Sequence, residues 1–353
     1  CLVGSEMCIR DSRNGDIIFD DNAENGQYPD GYFKDLGNLI GDASGQMTNT
    51  LVAKNLEKLS NYSFTSGITY KGGKAAIYST LSHEANEAVY SAFGDKDGCA
   101  IAYNYKTGEI LVCVSRPSVD PLKGYEDLAE GSLLCKAFYK TVPGSTQKIA
   151  TLISAVETMG MDALMEKSFT CNGVYTNNTG LDIVCHNEYG HGTQNIREAF
   201  ANSCNPFFAQ LVEDSGWSLS DIEDCYKKLG YSVNGSEETE ISIDGIISSK
   251  ASTTLEDKNE FNTQWSCIGQ GTSLVSPCQL MMWQSAIANE SGKSTMPYLI
   301  DHVTNVNGRT VENASTNYSE QLFSSQTASE VKDIMLENGL NYTCLLYTSD
   351  AAD

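Results

Sequence analysis

The sequence predicts an α+β fold in which an antiparallel sheet carries helices on a face and is followed by an all-helical subdomain. Three observations lead there. "TLSHEANEAVYSAF" (80–93) has helical character, and it runs directly into "CAIAYNYKTGEILVCVS" (99–115), two β-rich runs around a turn at Lys106, Thr107 and Gly108. Farther on, Ile149, Leu152, Ile153 and Val156 recur at i, i+3, i+4 and i+7, the apolar stripe of a packed helix. With 41% apolar residues among 353, the chain can fill a core of this kind.

In chain order, residues 13–70 are polar and rich in Gly and Asn, with Leu51, Leu56 and Leu59 marking one short helix in an accessory region. From 71 the apolar patterning tightens into the helix and hairpin above. "IREAFANS" and "PFFAQLVEDSG" are two further helices broken at Ser203, Cys204 and Asn205, and Pro277 opens another through "QLMMWQSAIAN". The ends differ in character. "CLVGSEMCIRDS" (1–12) and "CLLYTSDAAD" (344–353) resemble translated sequencing-adapter sequence and are set aside as non-native, so that 13–343 is expected to be an internal piece of a longer protein.

A formal charge of −23 repels nucleic acid and anionic lipid surfaces, which argues against both as partners. No stretch approaches the roughly 20 consecutive apolar residues of a membrane-spanning helix. Setting the ends aside leaves nine scattered cysteines, which form no disulfide framework. Most lie in apolar contexts as small core residues, although one bridge from Cys171 to Cys185 would close the polar loop between them. Cys185, His186 and His191 match no zinc spacing, and neither a metal nor a cofactor is expected.

The pattern S-x-x-K occurs twice, so spacing alone says little. Ser329 and Lys332 lie among charged residues on a polar helical face, whereas Ser145 and Lys148 follow a Pro143-Gly144 break and open the apolar stripe. There the helix start favours developing negative charge, and a lysine against an apolar run is desolvated toward a usable base. The same residues also suit an N-cap serine beside a solvated lysine, and the segment by itself does not choose. S-x-N occurs at Ser12, Ser203, Ser232 and Ser315, and only Ser203 lies between two helices. Asn205 before Pro206 equally reads as a helix cap. "GQG" at Gly269–Gly271 lacks the Lys-Ser/Thr ending of a phosphate loop and reads as a turn before a helix.

Taken in order, "PGSTQK", "ANSCNPFF" and "IGQGTSLVSPCQL" resemble the transpeptidase domain of class B penicillin-binding proteins. "RNGDIIFD" and "YPDGYFKDLGNLIGD" resemble parts of the N-terminal pedestal of that family. The resemblance implies the penicillin-binding transpeptidase and serine β-lactamase-like fold, with a partial pedestal over 13–70 and a transpeptidase domain over 71–343. Gln147 departs from the family, which commonly has an apolar residue there.

By that resemblance Ser145 is the nucleophile and Lys148 its base. Ser203 passes a proton toward the leaving amine, and Asn205 binds the substrate amide and fixes the lysine. The implied partners are peptidoglycan stem peptides ending in D-Ala-D-Ala and the β-lactams that mimic them. An upstream membrane anchor, a wall-synthesis complex and work on the extracytoplasmic face of the cell membrane are implied as well. The family's third motif, K-T-G, should follow S-x-N, but the Lys106-Thr107-Gly108 here precedes Ser145 and reads as a hairpin turn. The expected place for it is just after "DIMLENGLNYT", so the chain as written is expected to label weakly with penicillin. A serine β-lactamase, and a penicillin-sensing or non-catalytic scaffold domain, are the alternatives on the same fold.

Overall fold

The computed structural model describes residues 7–11, 14–20, 32–42, 44–59, 62–63, 67–68, 75–120 and 123–341. The chain forms two compact units, one from residues 1–139, 240–248 and 295–317, the other from 140–239, 249–294 and 318–353. Residues 75–139 therefore group with the segment before them, and the units part at Tyr139 and Lys140.

The first unit holds a five-stranded sheet in the order Thr310–Asn313, Ile300–Thr304, Ala75–Ser79, Met7–Asp11 and Ile17–Asp20. Met7–Asp11 runs parallel to Ala75–Ser79 while the other neighbours are antiparallel, so the sheet is mixed. Met7–Asp11 lies within the stretch set aside in the sequence, and its Cys8 and Ile9 are fully buried. The tail 344–353 lies outside the described residues.

The expected hairpin pairs Gly98–Tyr103 with Ile110–Arg116. At its turn Gly108 has φ +96°, and a Cβ there would come within 2.3 Å of the Met296 carbonyl oxygen, which explains the glycine. The helix His83–Ala92 is capped by Ser82. Buried Asn86 joins that helix to the hairpin by donating to the Leu111 carbonyl and accepting from the Cys113 amide. The single helix expected around Leu51–Leu59 is two, Leu51–Lys54 and Leu56–Leu59, parted at buried Asn55.

The second unit is mainly helical. Its core joins Ile149, Leu152, Ile153 and Val156 to Phe207, Phe208, Tyr226 and Trp283. The Lys148–Met159 helix is buried on every side from Lys148 to Val156, beyond the expected stripe. Ala150, Ser154 and Ala155 are small enough for the helices Leu219–Lys228, Phe261–Ile268 and Ser325–Asn341 to close around it. Capping boxes at Asn195 with Glu198 and at Ser218 with Asp221 start the helices Ile196–Ala201 and Leu219–Lys228.

Candidate functional site

Ser145 stands on a 3-10 turn, Gly144–Gln147, that leads into the Lys148–Met159 helix. Gly144 has φ +56°, and its N–H donates to the Gly269 carbonyl at 2.9 Å. Gly269 ends the helix Phe261–Ile268 in the left-handed region, so "GQG" follows a helix and serves as its cap. No side chain makes a capping bond at either start, so Ser145 is not an N-cap.

Lys148 is 1% exposed and has three acceptors around its Nζ: Ser145 Oγ at 2.8 Å, Ser203 Oγ at 3.1 Å and Asn205 Oδ1 at 2.8 Å. Those acceptors match the three N–H donors of an ammonium. The Phe208 ring centroid lies 5.8 Å from Nζ. Burial lowers the lysine pKa to about 8, bringing the neutral, proton-accepting form within reach near neutrality. All four residues expected at the site are therefore brought together.

Ser203 takes a left-handed φ of +48° at the junction of its two helices. The helix Asn205–Glu213 is capped at Cys204 rather than Asn205, which frees the Asn205 side chain from the capping role. Its Nδ2 donates to the Val184 carbonyl at 3.0 Å, and this directs Oδ1 toward Lys148. A cleft of about 280 Å³ is lined by Ser145, Lys148 and Ser203, with Ile149, Phe200 and Met335 as apolar wall. Asn338 also lines it, buried and with its Oδ1 unpartnered, a residue that no sequence motif marked.

The competing motifs separate cleanly. Lys332 pairs with Glu290 on the surface. Ser232 donates to the Ser236 carbonyl within a local turn, and Asn234 donates to the Leu255 carbonyl 21 positions away. Ser315 and Asn317 are exposed, and Thr107 of Lys106-Thr107-Gly108 bonds Glu109 within its hairpin turn. Ser12 lies outside the described residues.

Two features escaped the sequence reading. Gln147 is fully buried, donating to the Tyr226 hydroxyl at 3.1 Å and accepting from the Tyr231 hydroxyl. Tyr226 in turn meets Thr151, which donates to the Cys267 carbonyl at 2.6 Å. Tyr residues 79 and 84 positions away carry no local signal for a polar layer beneath Ser145. The second feature is a gathering of Cys171, Cys185, His191 and Cys204, whose donor atoms lie within 4.8 Å of one another. Cys171 and Cys185 are unbridged.

Fold and site define a class: an α+β serine domain with a Ser-x-x-Lys pair and a Ser-x-Asn junction converging on one lysine. The chain belongs to the penicillin-binding protein transpeptidase domain family, whose model matches residues 98–341. It is 31% identical over 241 residues to stage V sporulation protein D of Bacillus subtilis, covering 66% of this chain and 35% of that protein. It is 26% identical over 294 residues to the peptidoglycan D,D-transpeptidase PbpA of Mycolicibacterium smegmatis, covering 77% and 57%. The chain thus spans about a third and somewhat over half of these relatives.

Among solved structures, PBPA of Mycobacterium tuberculosis superposes with a TM-score of 0.78 at 17% identity, covering 95% of this chain and 82% of that one. The D,D-transpeptidase domain of an Eggerthella lenta peptidoglycan glycosyltransferase gives 0.77 at 21% identity, covering 96% and 83%. These likenesses establish the penicillin-binding transpeptidase fold.

Proposed function

We propose that this chain is part of a serine D,D-transpeptidase that cross-links peptidoglycan stem peptides ending in D-Ala-D-Ala and is acylated by β-lactams. The observation that carries the reading is the buried Lys148 Nζ, within 3.1 Å of Ser145 Oγ, Ser203 Oγ and Asn205 Oδ1 at once. The mycobacterial PBPA has been solved as a penicillin G acyl-enzyme complex, which supports the covalent step.

In this reading neutral Lys148 takes the Ser145 hydroxyl proton as Oγ bonds to the carbonyl carbon of the penultimate D-Ala. The Ser145 backbone N–H at the turn supplies one oxyanion donor, an interaction worth about 3 kcal/mol in the transition state. Collapse breaks the peptide bond. The proton then passes from Lys148 through Ser203 to the departing D-alanine amine, while Asn205 holds the substrate amide and the lysine. An acceptor amine on a second stem peptide attacks the ester, forms the cross-link and returns Ser145 to its hydroxyl form.

Such chemistry belongs on the extracytoplasmic face, with a membrane anchor and a wall-synthesis complex supplied by the full-length protein. No described helix of this chain is long and apolar enough to cross a membrane. The test is intact-protein mass spectrometry of the full-length protein after exposure to penicillin G. One stable adduct that disappears in Ser145→Ala supports the reading. An adduct that survives that substitution, or one hydrolysed within a second as in a β-lactamase, rejects it.

A further inference from the structure

We propose that Cys113 and Cys135 are a site of covalent oxidation, forming a disulfide that closes the neck of the loop between them. Cys113 lies inside the strand Ile110–Arg116, and Cys135 precedes the turn Lys136–Phe138. Their sulfurs are 3.5 Å apart, both residues are buried, and both carry thiols. Spacing does not announce the pair, because 22 positions separate the two cysteines.

The backbone brings the two sulfurs together without help from the thiols. Ser115 is two residues beyond Cys113 and therefore on the same face of the strand. Its Oγ donates to the Leu134 carbonyl at 3.2 Å and accepts from the Lys136 N–H at 3.1 Å, so one side chain grips the residues on both sides of Cys135. Lys136 Nζ donates to the Arg116 carbonyl as well. From the other direction, the Cys113 N–H donates to Oδ1 of buried Asn86 at 2.9 Å, which holds its strand to the helix His83–Ala92. A disulfide has its sulfurs about 2.05 Å apart, so closing the bond asks for about 1.5 Å of movement shared between two side chains.

What the bond holds is the loop. Between Arg116 and Lys136 the described residues form no strand or α-helix, and the hydrogen bonds at Ser115 and Lys136 draw its two ends together. Cross-linking the ends of an irregular loop restricts the unfolded chain and so favours the folded one. Cys99 is the competing thiol. It stands across the hairpin, opposite Ser115, and is only partly buried. Burial nevertheless pushes its pKa up to about 11, which keeps it protonated and slow to attack.

The oxidant is a small-molecule disulfide, of the kind met outside a reducing cytoplasm. The thiolate of Cys135, on the irregular segment that opens locally, attacks one sulfur of that disulfide, giving a mixed disulfide and releasing one thiol. Cys113 then gives up its proton and attacks the Cys135 sulfur, so that the Cys113–Cys135 bond forms and the second thiol departs. Two electrons pass from the cysteines to the oxidant, and their two protons end on its two thiols. None of this depends on the transpeptidase reading.

The test is peptide mapping of the full-length protein, first reduced, then exposed to oxidised glutathione, with the remaining thiols blocked by N-ethylmaleimide before digestion. The expected result is a cross-linked pair of peptides holding Cys113 and Cys135, and a thermal midpoint roughly 5 °C above that of the reduced protein. Cys135→Ala should lose both the bond and the thermal gain. Should that variant fail to fold, the wild-type map and its oxidised-minus-reduced midpoint decide. Cys113 and Cys135 both found blocked after oxidation overturns the proposal, as does Cys135 found bonded to Cys99, or a Cys113–Cys135 bond that brings no thermal gain.

Discussion

The Nζ of Lys148 lies 2.8 Å from Ser145 Oγ, in a helix whose burial lowers the lysine pKa to about 8. A base acts only when neutral, so acylation of Ser145 should rise with pH through about 8 and level above it. About a tenth of Lys148 is neutral one unit below its pKa, which predicts roughly a tenfold gain from pH 7 to pH 9. A lysine with an ordinary pKa would keep climbing past pH 10. Stopped-flow acylation by a chromogenic cephalosporin across this range checks it, with Lys148→Ala expected to lose about 10²–10⁴-fold.

The two S-x-x-K pairs should behave oppositely. Lys332 is partly exposed and ion-paired to Glu290, an arrangement worth little. Ser329→Ala and Lys332→Ala should leave penicillin labelling unchanged and stability within about 0.5 kcal/mol, whereas Ser145→Ala should abolish labelling. Labelling gels and denaturant midpoints on the three variants decide the matter.

Asn205 joins two contacts that a helix cap would not make. Asn205→Ala removes both the acceptor for Lys148 and the tie to Val184, and is expected to slow acylation about a hundredfold through misplaced groups. If the side chain acted only in capping, Asn205→Ser would restore the rate. Recovery in that variant would count against the positioning role.

How much of this was legible in the sequence follows from the range of the interactions. The helix at His83, the hairpin after it and the Ile149 stripe were readable because each rests on local periodicity and a local cap or turn. Ser145, Lys148, Ser203 and Asn205 were readable as motifs, yet spacing did not separate them from Ser329 or from a cap. That distinction comes from Lys148 reaching Asn205 across 57 positions. Met7–Asp11, set aside because it resembles adapter sequence, lies in the sheet between Ala75–Ser79 and Ile17–Asp20, neighbours that no local pattern announces. Gln147 looked like a harmless polar intruder because its partners, Tyr226 and Tyr231, are distant in the chain.

Gln147 gives a stability prediction. Restoring an apolar side chain by Gln147→Leu leaves the buried Tyr231 hydroxyl without its acceptor, while Tyr226 keeps Thr151. An orphaned buried hydroxyl costs about 1–3 kcal/mol, so the variant should be less stable by that amount despite its higher hydrophobicity. Adding Tyr231→Phe removes the orphan and should return most of the loss. A double-mutant cycle from denaturant unfolding would then show a coupling of about 1 kcal/mol or more.

The last prediction concerns the support beneath the nucleophile. Gly269 has φ +102°, and an ideal Cβ on it would stand 1.7 Å from the Gly144 carbonyl oxygen and 2.7 Å from Gln147 Cβ. Gly269→Ala therefore adds left-handed strain to a clash that only backbone movement can relieve, and the backbone that must move carries Ser145. We expect about 2 kcal/mol or more of destabilisation. Acylation should also fall more than folding loss alone predicts, because the Gly144 N–H bond to Gly269 sets the turn. Gly160→Ala is a matched control: Gly160 has φ +78° but no heavy atom within 4 Å of its Cβ position. It should show the backbone cost without the loss of acylation, and equal acylation rates per folded molecule in the two variants would show that Gly269 does not position Ser145.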